Sequence, residues 1–322
     1  MIRPHNSAFN LIIHNSTALF IIPMITILGP TASGKTALAA QLAYELDAEV
    51  ISADSRQVYR GMDIGTGKDY HDYVIKGKKI PVHLIDIVDP GYEYNVFEYQ
   101  QDFIKVYRNI TGRGKMPILC GGSGMYLEAI LKRYNLKMID SDHAFKESLR
   151  LKTDEELKKL LLSLRVTHNT TDLIDRKRVI KAIEIAAISD SDKKFRDDLQ
   201  PLNPMLFGIL FERETLRNRI TDRLKNRLQN GLIEEVQSLL DKGLPPDQLK
   251  FYGLEYRYIT MFLKKELDYQ DMFTLLNTAI HQFAKRQMTW FRRMERNGFT
   301  IHWIDGRLAP ERKTEFVKAL LT

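Results

Sequence analysis

Three groups of residues in this 322-residue chain have types and spacings that could do chemistry together. The first is Gly29-Pro30-Thr31-Ala32-Ser33-Gly34-Lys35-Thr36, a GxxxxGK[ST] pattern. In such a loop successive backbone N–H groups curl around phosphate oxygens and the following helix N-terminus adds partial positive charge. Lys35 reaches the outer phosphate, and the Thr36 hydroxyl can ligate Mg²⁺. A polyphosphate is therefore expected here. The second group is Asp54, in Ser52-Ala53-Asp54-Ser55-Arg56-Gln57. Its carboxylate could take a proton from an attacking group, ligate Mg²⁺ through water, or cap the following helix, and spacing leaves these roles open. Asp86, in His83-Leu84-Ile85-Asp86, resembles a Walker B acid and could equally terminate a strand. The third group is a pair of glycine-rich loops, Gly61-Met62-Asp63-Ile64-Gly65-Thr66-Gly67-Lys68 and Gly121-Gly122-Ser123-Gly124-Met125-Tyr126, where glycine permits close backbone approach to a ligand.

Short apolar runs bounded by turn residues predict strands at 24–28, 49–53, 82–88, 117–120 and 206–211, with a weaker one at 300–304. Helical patterns lie between most of them. The alternation predicts an α/β fold: a P-loop NTPase-like parallel sheet core flanked by helices, with ligands at the carboxyl ends of the strands. From about Asp140 to Asp198 no strand pattern occurs, and Thr153 to Glu156 has capping-box spacing. We read 139–200 as a helical insertion, and 24–138 with 201–322 as the core and its helical C-terminal part. Gly243-Leu244-Pro245-Pro246 breaks that part between helices. Residues 1–23 are expected to be a disordered tail or an over-extended start, with Met24 a natural first residue.

The apolar stretch at 11–25 is interrupted by His14, Asn15 and Ser16 and runs straight into the first strand, so neither export nor a membrane span is expected. A single cysteine, Cys120, excludes an intramolecular disulfide and fits a reducing cytoplasm. The net charge of +7 permits a polyanionic partner. Its distribution says more. His281 to Arg296 interleaves five Lys or Arg with Phe283, Trp290 and Phe291, Arg176 to Lys181 is a second basic cluster, and Arg219, Arg223 and Arg227 form an i, i+4, i+8 stripe. Each could be a solvated helix face. Three of them beside a phosphate site favour nucleic acid.

These motifs resemble those of the tRNA dimethylallyltransferases, also called tRNA isopentenyltransferases, from about residue 25 to 305. The resemblance rests on the 29–36 loop; on Asp54-Ser55-Arg56-Gln57-Val58-Tyr59 with Gly61 to Thr66; and on Gly121 to Tyr126. Arg178-Val179-Ile180-Lys181-Ala182-Ile183-Glu184 and Ala284-Lys285-Arg286-Gln287-Met288-Thr289-Trp290-Phe291-Arg292 complete it. It implies transfer of a dimethylallyl group from dimethylallyl diphosphate to N6 of the adenosine 3′-adjacent to the anticodon in tRNA. The partner is then a tRNA anticodon stem-loop, and a monomer is expected. The commonest use of the 29–36 pattern is a nucleotide site, ATP among its ligands. Here the loop reads instead as a grip on a diphosphate leaving group, with Mg²⁺ on Thr36. By the same resemblance Asp54 is the base. The tRNA contacts are Asp54, Ser55, Arg56, Gln57, Ser123, Lys146, Arg178, Lys181, Lys285, Arg286 and Gln287.

The chain departs from the family pattern at Ile280-His281, where Thr-Arg is common, so a cation usually assigned to the diphosphate is absent or replaced by His281 or Arg286. Ser123 replaces a usual Thr and keeps the hydroxyl. Tyr252-Gly253-Leu254-Glu255-Tyr256 stands where Ile-Gly-Tyr-Lys-Glu is usual. Three rival readings predict different assays: prenylation of free adenine nucleotide, a P-loop small-molecule kinase, and an RNA-binding module without chemistry.

Overall fold

The computed structural model describes residues 23–134, 136, 143–164, 176–187 and 202–321. The expectation for 1–23 falls, but for Pro23, outside these residues, as do both boundaries of the 139–200 insertion. Within that insertion, His143–Arg150, Asp154–Leu164 and Arg176–Ala187 are helices, in keeping with the absence of a strand pattern. Their shared core is Leu149, Leu157, Leu161, Val179 and Ile183.

Six strands form a parallel sheet: β1 (Met24–Leu28), β2 (Glu49–Ser52), β5 (Val82–His83), β6 (Pro117–Gly121), β7 (Pro204–Leu210) and β8 (Ile301–Asp305). Their spatial order is β5-β2-β6-β1-β7-β8, while β3 (Val74–Ile75) and β4 (Lys78–Lys79) pair as a separate antiparallel hairpin. The unbroken apolar character of β1 follows from its place between β6 and β7, buried on both faces. Met24 and Leu28 point to a core with Phe103, Leu127 and Phe291, and Ile25 and Ile27 to one with Leu38, Leu42 and Val50. A third core packs Ala32, Val58 and Met62 against Ile220, Leu224, Tyr256 and Ile280, fastening the loops at the sheet edge to the C-terminal helices.

The strand predicted at 82–88 stops at His83. Leu84 and Asp86 adopt positive φ of 62° and 55°, which turns the chain out of the sheet, and Val88 then bridges to Tyr59. Among the described residues no helix is long and apolar enough to cross a membrane.

At the opposite end of the sheet from the 29–36 loop, Glu49 opens β2 and is 3% exposed. Its carboxylate accepts two hydrogen bonds from Arg113, at 2.6 and 2.7 Å, and lies 2.8 Å from His83 Nε2. The Arg113 guanidinium holds this carboxyl down to about 2, well below the ordinary 4.5. A carboxylate with a depressed folded pKa contributes stability above its unfolded pKa and loses it as pH falls through the folded one. The contribution is on the order of 2 kcal/mol, discounted for the solvent beside half-exposed Arg113. Urea titrations between pH 5 and 2 should therefore show a shallower loss of stability in Glu49→Gln than in the unaltered protein. Parallel curves would remove this pair from the pH response.

Candidate active site

The 29–36 loop is built for close approach. Gly29, at φ 155°, has no room for a Cβ, which would fall 2.9 Å from Ser33 Oγ and 3.1 Å from the Ile209 carbonyl. Gly34, at φ 82°, caps the Lys35–Glu45 helix without a side-chain bond to the first-turn N–H groups, leaving those donors for an anion. The Ser33 hydroxyl is buried and has no partner, as expected of a group that awaits a phosphate oxygen. Lys35 Nζ donates to the Pro30 carbonyl at 2.8 Å, and loss of solvent lowers its pKa to about 8. The loop forms one wall of a cavity of about 650 Å³.

Asp54 lines the same cavity, just beyond the end of β2. The turn that follows is pinned twice, by Arg56 N–H donating to Asp54 Oδ1 at 2.9 Å and by Ser55 N–H donating to Ser123 Oγ at 3.0 Å. The second contact joins two loops that spacing had only suggested would meet. Of the two roles left open for Asp86, the Walker B one is not seen: the residue does not line the cavity and is held by Lys68 and Tyr70. Lys68 also donates to Tyr59 O at 2.6 Å and to Asp63 at 2.8 Å, so this acid balances a buried lysine that braces the 61–68 loop. Glu235 adds support by accepting from the N–H groups of Asp63, Ile64 and Gly65.

The structure also places the arginine stripe. Arg219, Arg223 and Arg227 belong to the Arg213–Gln229 helix, whose face carrying Ile220 and Leu224 packs against the loops. Arg219 Nε donates to the Ala32 carbonyl at 3.0 Å, and Arg223 donates to the Thr31 hydroxyl. Arg227 lies 3.3 Å from Asp69. Arg223 and Arg227 thus face inward to the cavity and do not form an exposed polyanion surface. Burial, reinforced by Arg227, brings the Arg223 pKa down to about 10. Three acids on the cavity wall were not singled out in the sequence: Asp69, Asp72 and Glu255. Burial raises the Glu255 pKa, while Arg227 and Arg223 pull the other way. The available signal was the spacing of Arg223 and Arg227 from Ile220 and Leu224, which places charge on a buried helix face and demands acidic partners.

His281, the titratable stand-in at the departure from the family pattern, does not line the cavity. Its Nε2 lies 3.2 Å from the Thr221 hydroxyl, and burial lowers its pKa. The cations that do line the cavity at the phosphate loop are Lys35 and Arg223.

Of the residues expected to touch RNA, Asp54, Ser55, Arg56, Gln57, Ser123, Arg286 and Gln287 line the cavity. Lys285 is exposed on the Tyr269–Arg296 helix. Lys181 is exposed 3.9 Å from Glu184, and the side chains of Lys146 and Arg178 lie outside the described residues. Two of these positions already have work within the protein. Gln57 donates to the Gly67 carbonyl at 2.9 Å and accepts from Ser52 Oγ at 3.1 Å. Gln287 accepts from Thr31 N–H at 2.8 Å and donates to the Gly122 carbonyl at 2.9 Å, tying the phosphate loop to the loop that carries Ser123.

Among the described residues no group of three or more His, Cys, Asp or Glu could hold a metal ion. The donors at the loop suit an ion that brings most of its ligands as substrate oxygens and water, with the Thr36 hydroxyl as a protein ligand.

Removing Gln287 leaves a donor and an acceptor without partners, at about 1–3 kcal/mol each. Gln287→Ala should therefore lower the thermal midpoint by several degrees in calorimetry and weaken binding of inorganic diphosphate. An unchanged midpoint would show that the two loops hold their positions without it.

A family model described as IPP transferase matches residues 57–294. The chain is 54% identical over 298 residues to tRNA dimethylallyltransferase 2 of Bacteroides fragilis, covering 92% of this chain and 97% of the relative. It is 53% identical over 290 residues to tRNA dimethylallyltransferase 1 of Parabacteroides distasonis, covering 90% and 94%. Its fold is similar to the crystal structure of a tRNA isopentenylpyrophosphate transferase from Bacillus halodurans. That likeness has a TM-score of 0.67 at 29% identity and covers 93% of this chain and 95% of the other.

Proposed function

The chain belongs to the IPP transferase family, and we infer from that premise that the 29–36 loop and Asp54 carry its chemistry. It transfers a dimethylallyl group from dimethylallyl diphosphate to N6 of the adenosine 3′-adjacent to the anticodon in tRNA, releasing diphosphate. The supporting observation is that Lys35, Thr36, Arg223 and Asp54 line one cavity of about 650 Å³.

An adenine amine is a weak nucleophile because its lone pair is delocalised into the ring, so the reaction needs help at both ends. The N6 lone pair forms the new bond to C1 of the allyl group as the C1–O bond breaks, and the diphosphate leaves with that electron pair. Asp54 takes the N6 proton. Its carboxylate is preoriented by the Arg56 N–H bond, which holds one oxygen and fixes the ring of backbone around it. Lys35, Arg223, the first-turn N–H groups and the Ser33 hydroxyl stabilise charge on the departing diphosphate in a site with little solvent. Magnesium, when bound with the diphosphate, supplies further neutralising charge beside Thr36. The target base reaches Asp54 only after it is turned out of the anticodon-loop stack, at a cost of a few kcal/mol that RNA contacts offset. Arg286, Lys285, Lys181, Lys146 and Arg178 are the basic residues assigned to those contacts.

Purified protein with Mg²⁺ and labelled dimethylallyl diphosphate should label unmodified tRNA and leave free AMP, ADP and ATP unlabelled. Label on free nucleotide alone would reassign the acceptor, and phosphoryl transfer from ATP with no use of the allylic donor would point to a kinase. Asp54→Ala should cut turnover by about 10² to 10⁴ with tRNA affinity nearly unchanged. Arg223→Gln should raise the KM for the donor roughly tenfold or more, since a charge-assisted contact is lost. Equal loss in tRNA affinity for Asp54→Ala would assign that residue to recognition.

A further inference from the structure

Three large apolar side chains on the cavity lining are exposed to solvent: Phe251 at 64%, Met125 at 46% and Phe283 at 38%. They come from three separate parts of the chain, the segment after the Pro246–Leu249 helix, the start of the Gly124–Leu131 helix and the middle of the Tyr269–Arg296 helix. Their exposure places them at the mouth, while the phosphate loop forms the interior wall. Leaving such groups in water is unfavourable unless a partner covers them.

Both rings carry a guanidinium. Arg56 lies 5.4 Å from the centre of the Phe251 ring, and Arg286 lies 5.9 Å from that of Phe283. Arg257 adds charge to the same lining, while Lys250, next to Phe251 in the chain, is paired with Glu266 at 3.1 Å. An apolar peptide would not call for cations on both rings, and a folded duplex offers no free base faces. The pairing of flat apolar surface with fixed positive charge suits unpaired nucleobases and their phosphates.

Resting on the tRNA reading above, we propose that Phe251 and Phe283 are stacking platforms for the unpaired bases flanking the extruded adenosine, with Arg56 and Arg286 holding the adjoining backbone. Turning one base out of a loop deprives its neighbours of a stacking surface. A ring at the mouth replaces that surface, so part of the extrusion cost is returned where it arises. The arginines are held over the rings before RNA arrives, so little of their side-chain freedom remains to be lost on binding.

The test uses the full chain and an unmodified anticodon stem-loop carrying 2-aminopurine next to the target adenosine. Wild type, Phe251→Ala, Phe251→Leu, Phe251→Trp and the same series at Phe283 are compared for RNA affinity, probe fluorescence, diphosphate affinity and thermal midpoint. The Ala and Leu variants should bind RNA about tenfold or more weakly and fail to quench the probe. The Trp variants should restore both. Diphosphate affinity and the midpoint should not move in any of them, and the slope of affinity against salt should stay that of wild type, because no charge is lost. Full rescue by Leu would show that the rings supply apolar bulk without stacking, and unchanged RNA affinity in the Ala variants would leave them as supports for the arginines. Either result overturns this proposal alone. A wild-type protein that neither binds nor prenylates the stem-loop would overturn the functional reading beneath it.

Discussion

The rest of the structure depends on a charge constraint: Lys35 and Arg223 are held at a loop with little solvent, where each cation is costly before any anion binds. The lowered pKa of both groups expresses that cost. Carboxylates share the same cavity lining. Asp54 faces the cavity, Asp69 pairs with Arg227, and Glu255 is buried beside both arginines. An anion arriving at this loop would meet charge that is already in place, the condition under which electrostatic stabilisation is most effective.

Holding that site together is a matter of loops meeting at the carboxyl edge of a parallel sheet. The strands alone deliver 29–36, 54–57 and 121–124 to the same edge, but three contacts make them one surface. Ser123 accepts from the Ser55 N–H, Gln287 bridges Thr31 to Gly122, and Arg223 reaches Thr31. Two of the three come from C-terminal helices far away in sequence. The C-terminal half therefore helps to hold the 29–36 loop in place. At the other end of the sheet, the Glu49–Arg113 pair anchors the strand that delivers Asp54.

Much of this was legible beforehand, and the misses share a cause. The loop at 29–36, the strand before it and the helix after it were plain because periodicity and glycine placement are local properties of the chain. Asp86 stayed open between two roles because an acid ending an apolar run looks the same whether it faces a ligand or a lysine eighteen residues away. The arginine stripe could not be placed because an i, i+4, i+8 pattern states that three cations share a helix face without stating what that face meets. His281 sits at the position where the family cation is expected. Its ring is taken up by Thr221 on the facing helix.

What the sequence by itself determined is the strand, glycine-rich loop and helix around 29–36, the α/β alternation and the family, since each is written in contiguous residues whose spacing carries the physics. Which charges face that loop was decided only by the tertiary structure. Helix packing turned Arg223 and Arg227 inward, set Asp69 and Glu255 beside them, and left Phe251 and Phe283 at the mouth with arginines on their rings. The physical reason is that burial and partner are properties of two segments meeting, and the residue types on one segment cannot say what the other will bring.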